Sequence, residues 1–75
     1  MLNIVSKKIY NNSCRLEYLV NNKNYYLYYY YGNARQNFVN DIFGNDISNT
    51  KLGMKIILDG MNYMFNNYYQ NKMEI

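Results

Sequence analysis

Between Tyr25 and Tyr31 the chain runs through six tyrosines and a single leucine without a break. Large rings lose rotamer freedom against a helical turn and fit a pleated ribbon, so this run predicts a strand. Alternation puts Tyr25, Leu27, Tyr29 and Tyr31 on one side and Tyr26, Tyr28 and Tyr30 on the other. At 75 residues the chain is expected to form one domain, residues 1–75, with one small core. Such a core covers one face of the strand and leaves the other to solvent or a partner. The run is also the longest apolar stretch, far short of a membrane-spanning helix.

The preceding residues supply two partner strands. Leu2–Tyr10 mixes branched and aromatic side chains with Ser6, Lys7 and Lys8, and stops at the turn signal Asn11-Asn12-Ser13. In Cys14–Val20, Cys14, Leu16, Tyr18 and Val20 alternate with Arg15 and Glu17, the pattern of a half-buried strand. Asn21-Asn22-Lys23-Asn24 makes a second turn, because asparagine tolerates positive φ. A three-stranded antiparallel meander is the expectation.

After Gly32 the period changes. Phe38, Val39, Ile42 and Phe43 fall at helical spacing with Gly44 at the C-cap position, which predicts a short helix over Ala34–Phe43. Asn45–Thr50 is a polar connection rich in N-cap residues. Met54, Ile57, Leu58, Met61, Met64, Phe65 and Tyr68 hold a three-four spacing. This predicts a longer C-terminal helix, anchored in the core by Ile57, Leu58, Met61 and Phe65. Asp59-Gly60 is also a hairpin signal. Seven positions in register outweigh one dipeptide, and a glycine there lets the helix approach its neighbour closely. The expected class is α+β: a three-stranded antiparallel sheet, then a short and a longer helix packed on one face.

Catalysis finds few candidates. There is no histidine to work near neutral pH. The carboxylates Glu17, Asp41, Asp46, Asp59 and Glu74 are scattered, and the closest pair, Asp41 and Asp46, fits capping better than metal binding. Cys14 lacks an activating base and lies on the inward face of its strand, where it serves as a small apolar residue. Arg15 and Arg35 are too far apart to clamp a phosphate around a tyrosine nucleophile. Gly32, Gly44, Gly53 and Gly60 are isolated and form no phosphate loop. The expectation is a non-enzyme without cofactor or metal. Lys7 and Lys8 interrupt the N-terminus before any signal-peptide apolar region forms.

Binding has better support. Tyr26, Tyr28 and Tyr30 project from the open face of the expected sheet, with Arg15, Glu17 and Leu19 beside them. Tyrosine offers a large rigid area and a hydroxyl, which suits an interface. The first 31 residues carry Lys7, Lys8, Arg15 and Lys23 against Glu17, the entire net charge of +3. The candidate partner-binding residues are Tyr26, Tyr28, Tyr30, Arg15, Leu19 and Lys7. An acidic protein surface fits them, and so does single-stranded nucleic acid stacked on the rings. Self-association through the tyrosine face is a third reading.

Asn, Tyr, Ile, Lys, Met and Phe, the residues of A/T-rich codons, account for well over half of the chain. The bias points to an AT-rich genome, such as a low-GC bacterium, its phages and mobile elements, or an AT-rich virus. A tiny chain with the hairpin Cys14–Tyr31 turning at Asn21-Asn22, then Phe38–Phe43 and Met54–Tyr68, resembles the small phage-encoded anti-CRISPR and anti-defence inhibitors in size and layout. That resemblance implies a stoichiometric inhibitor in the host cytoplasm. It would bind a host protein, a CRISPR effector or another defence complex, by direct contact and without a membrane. Members that mimic nucleic acid are acidic, whereas this chain is at +3, so occlusion rather than mimicry is implied.

Overall fold

The computed structural model describes residues 1–69. Glu74 lies outside them, as does the side chain of Tyr68. The fold is α+β. Strands β1 (Asn3–Ile9), β2 (Ser13–Val20), β3 (Lys23–Tyr30) and β4 (Phe38–Asp41) form one antiparallel sheet in chain order. Helix α1 (Lys51–Met64) follows and passes into a wider π-helical turn, Phe65–Tyr69.

The β2–β3 hairpin is the part that local sequence dictates most directly. Val20 and Lys23 are joined by Asn21 and Asn22 at φ 50 and 64. Two positive-φ residues in a two-residue loop match the right-handed twist of the strands. The ladder then runs unbroken from Val20↔Lys23 to Ser13↔Tyr30. β1 pairs with β2 through a register shift between Ile4 and Ser6. A bulge and two lysines on an edge strand discourage further pairing.

The short helix expected over Ala34–Phe43 is absent. Ala34–Gln36 makes one 3-10 turn, and Phe38–Asp41 adds a fourth strand to β3. A helix there would leave the outer edge of β3 unpaired, and backbone hydrogen bonds at that edge outweigh the helical spacing of four apolar residues. Val39 points into the core, and Phe38 goes to the opposite face against Tyr28. Asn37 Oδ1 accepts the Tyr30 N–H at 2.8 Å and locks the entry to β4. On the far edge, the Val39 carbonyl accepts the Ile47 N–H at 2.8 Å, and Ser48 Oγ accepts the Val39 N–H at 2.9 Å. Gly44, expected at a helix C-cap, instead takes φ 84 in the turn after β4.

Cys14, Leu16, Tyr18 and Val20 of β2 build the core with Leu27, Val39, Ile56 and Met64, and Tyr25, Tyr29 and Tyr31 pack at its margin. This is the face that alternation assigns to the interior. α1 starts at Thr50, whose Oγ1 accepts the Gly53 N–H at 3.0 Å and donates to the Ile47 carbonyl at 2.7 Å. Asp59-Gly60 lies within the helix, and the close approach expected at Gly60 is observed. A Cβ on Gly60 would overlap Leu27 Cδ2 and stand 3.3 Å from Tyr18 Oη.

The face that α1 buries differs from the expected stripe. Gly53, Ile56, Gly60 and Met64 are buried, Ile57 and Met61 are only half-buried, and Leu58 and Phe65 are 67% and 60% exposed. The helix is rolled by about a quarter turn from the centre of its apolar stripe. The two glycines explain the roll. They form a groove that seats against Leu27 and against the Ile47–Ser48 backbone, and close packing there outweighs burial of larger side chains elsewhere.

Candidate functional site

With α1 on one face of the sheet, the opposite face is built in rows by the strand register. One row runs Lys8, Arg15, Tyr28, Phe38 across all four strands, and the next runs Ser6, Glu17, Tyr26, Asn40. Ser13 and Tyr30 pair above them, and Asn3, Leu19 and Asn24 lie below. Tyr26, Tyr28, Tyr30, Arg15 and Leu19 therefore share one surface, as alternation requires. Leu19 stands two rows from Arg15, between two asparagines. Lys7 does not belong to this surface. It lies opposite Leu16 on the helix-bearing side, with Nζ 5.7 Å from the centroid of the Tyr63 ring.

The surface has an aromatic half and a cationic half. The Tyr28 and Phe38 rings stack at 4.7 Å with 12° between planes, and Tyr30 follows at 6.4 Å from Phe38. Cross-strand aromatic pairs of this kind rigidify a sheet face. On the other side, the Arg15 guanidinium lies 5.3 Å from the Tyr26 ring centroid and Lys8 Nζ 5.6 Å from that of Tyr10. The Tyr28 side chain beside Arg15 raises its pKa, so this group stays cationic. Glu17 sits between the cations and the tyrosines, but its carboxylate accepts from Ser6 Oγ at 2.9 Å and from Asn24 Nδ2 at 2.6 Å. Lys8 and Arg15 thus face each other across the ladder as like charges, an arrangement that opposes pairing.

Three residues of this surface escape the sequence reading: Lys8, Tyr10 and Phe38. Lys8 becomes visible only when the β1–β2 register is known. Tyr10 lies just beyond β1, and its place emerges from the Lys8 contact. Phe38 has helical spacing with its apolar neighbours, and the signal that places it in a strand is the unpaired edge of β3. Of the four cations in the first 31 residues, Lys8 and Arg15 lie on this surface, and Lys7 and Lys23 lie toward the other side.

Elsewhere the reactive groups are engaged locally. Asp41 Oδ1 accepts the N–H groups of Asn45 and Phe43, both at 2.9 Å, and these bonds, Asn45's above all, hold its pKa below the usual 3.8. Asp46 is held down in the same direction by the Ser48 hydroxyl and N–H. The Cys14 thiol is buried against Met64 Sδ at 3.7 Å, and burial raises its pKa. Tyr18 Oη donates to Asp59 Oδ2 at 2.7 Å inside the seam between β2 and α1. Among the described residues no group of three metal-ligating side chains comes together, and no helix is long and apolar enough to cross a membrane. No protein-family model, curated protein or solved structure matches the chain.

Proposed function

We propose that this chain is a non-enzymatic interaction protein whose open sheet face docks on an acidic surface of a partner protein. The observation that carries this reading is the row Lys8, Arg15, Tyr28, Phe38. It sets two directly opposed cations beside an ordered aromatic stack. Like charges paired across a ladder cost stability in the free protein, and an acidic partner relieves that cost. Tyrosine and arginine are the side chains that most often dominate interface energetics. A protein partner is favoured over nucleic acid because Tyr28 and Phe38 stack on each other, which occupies ring faces that bases would need. Glu17 in the middle of the face also opposes a phosphate backbone.

The size of the chain, its A/T-biased composition and its layout support a phage or mobile-element inhibitor of a host defence protein, a CRISPR effector among the candidates. Direct contact then blocks the partner stoichiometrically in the host cytoplasm, and no active site is required. The layout supports this less closely than the sequence suggested, since Phe38–Asp41 is a strand and not part of a helix.

The test is capture of the partner from host lysate with the tagged chain, followed by binding kinetics on the purified pair. Replacing Tyr28 and Tyr30 by serine is expected to weaken the complex by about thirtyfold or more while the circular dichroism stays unchanged. Arg15→Ala is expected to slow association and flatten its dependence on salt. Unchanged affinity in the double variant overturns the reading. Single-stranded RNA or DNA binding that falls steeply with salt would replace it with the nucleic-acid alternative.

A further inference from the structure

A second surface stands apart from the open sheet face. After β4 the chain turns tightly at Asp41–Asn45. Asp41 Oδ1 accepts the Phe43 and Asn45 N–H groups, the Asp41 carbonyl accepts the Gly44 N–H at 3.1 Å, and Gly44 takes φ 84. This bonded turn holds Phe43 out at 85% exposure and Ile42 at 62%. A loop built to display two large apolar side chains in water marks a contact site. Directly beside it is a cavity of about 500 Å³, walled by Tyr25, Ile42, Phe43, Ile47 and Leu52, with Lys23 and Asp41 also lining it.

We propose that the occupant of this cavity is Phe43 of a second copy, in a two-fold dimer that inserts each Phe43 into the other's cavity. Two features select a second copy over an unrelated partner. The protruding ring and the cavity adjoin on one surface, so a rotation axis between them satisfies both at once, as an isologous interface requires. The lining carries one lysine and one aspartate, Lys23 and Asp41, so the patch offers both signs of charge for two copies to pair across a two-fold axis. The apolar walls match an apolar insert. The cavity lies at the end of the sheet near the β2–β3 turn and the start of α1, away from the Arg15–Tyr28–Phe38 row. Dimerisation therefore leaves two open faces available, and the inference goes beyond the proposed function without depending on it.

The test is sedimentation velocity from micromolar to millimolar chain. The wild type is expected to show a concentration-dependent dimer. Phe43→Ser should weaken that dimer by about thirtyfold or more, with the circular dichroism and melting midpoint of the monomer unchanged. Lys23→Glu, a second route to the same interface, is expected to weaken it as well, and added salt to weaken the wild type. Variants Tyr28→Ser with Tyr30→Ser, and Leu58→Ser, should remain dimeric. A wild type that stays monomeric at millimolar concentration overturns the proposal. So does a dimer untouched by both Phe43→Ser and Lys23→Glu, or one lost through Leu58→Ser or the tyrosine pair.

Discussion

Gly60 sets the distance at which α1 meets the sheet. Alanine is a better helix former by about 1 kcal/mol, so propensity alone favours Gly60→Ala. Its Cβ, however, would overlap Leu27 Cδ2 in a fully buried seam. Overpacking of that kind costs about 1–3 kcal/mol, and here the steric effect prevails. Gly60→Ala should lower the melting temperature by several degrees in a calorimetric scan, and an unchanged or raised value would contradict the packing. Tyr18 makes a prediction of a different kind. Burial, and then the Asp59 carboxylate, raise its pKa well above 10.0. The folded state therefore holds the phenolic proton more tightly than the unfolded state does. Its stabilisation is complete below pH 10 and is lost as pH rises further. Tyr18→Phe should cost about 1.5–3 kcal/mol at neutral pH, the range for a hydrogen bond to a charged group. It should also flatten the alkaline fall in urea midpoints, and a slope equal to the wild type's would remove Tyr18 as its source.

At the scale of elements, α1 separates what a periodic pattern encodes from what it does not. Ile56 is fully buried and Phe65 is largely exposed, so Ile56→Ala should cost about 2–5 kcal/mol. Phe65→Ala, at a largely exposed ring, should cost less than Ile56→Ala. Urea unfolding of the two variants checks the pair, and the reverse order would restore the original stripe. The helix itself was legible, because seven apolar positions kept helical spacing. Its roll was not, since glycines carry no hydrophobic signal and their role depends on Leu27 and Ile47, which are remote in sequence. The β2–β3 hairpin was legible for the opposite reason. Its turn residues and its alternation are local and agree with each other. β4 was hidden because four residues allow too little alternation to compete with the accidental helical spacing of Phe38, Val39, Ile42 and Phe43. The same asymmetry governs the candidate surface. Tyr26, Tyr28, Tyr30 and Arg15 follow from parity along single strands. Lys8, Tyr10 and Phe38, and the exclusion of Lys7, require register between strands.

For the whole molecule, the sheet order β1-β2-β3-β4 places the two central strands between partners and leaves β1 on an edge. Hydrogen exchange should follow that order. Amides of Leu16, Tyr18 and Leu27 are expected to exchange by global opening, and those of β1 near its register shift, Val5 above all, by easier local opening. Uniform protection across all strands would mean that β1 is clamped more firmly than its pairing implies. The seam between sheet and helix closes at its far end on Cys14, the sole thiol of the chain, whose Sγ meets Met64 Sδ across 50 residues of sequence. That contact turns the native side chain into a gauge of helix docking. A soluble thiol reagent reaches Cys14 only while α1 stands away from β2. The rate at which a single adduct accumulates, read by mass on the unaltered chain, therefore counts how often the helix lets go.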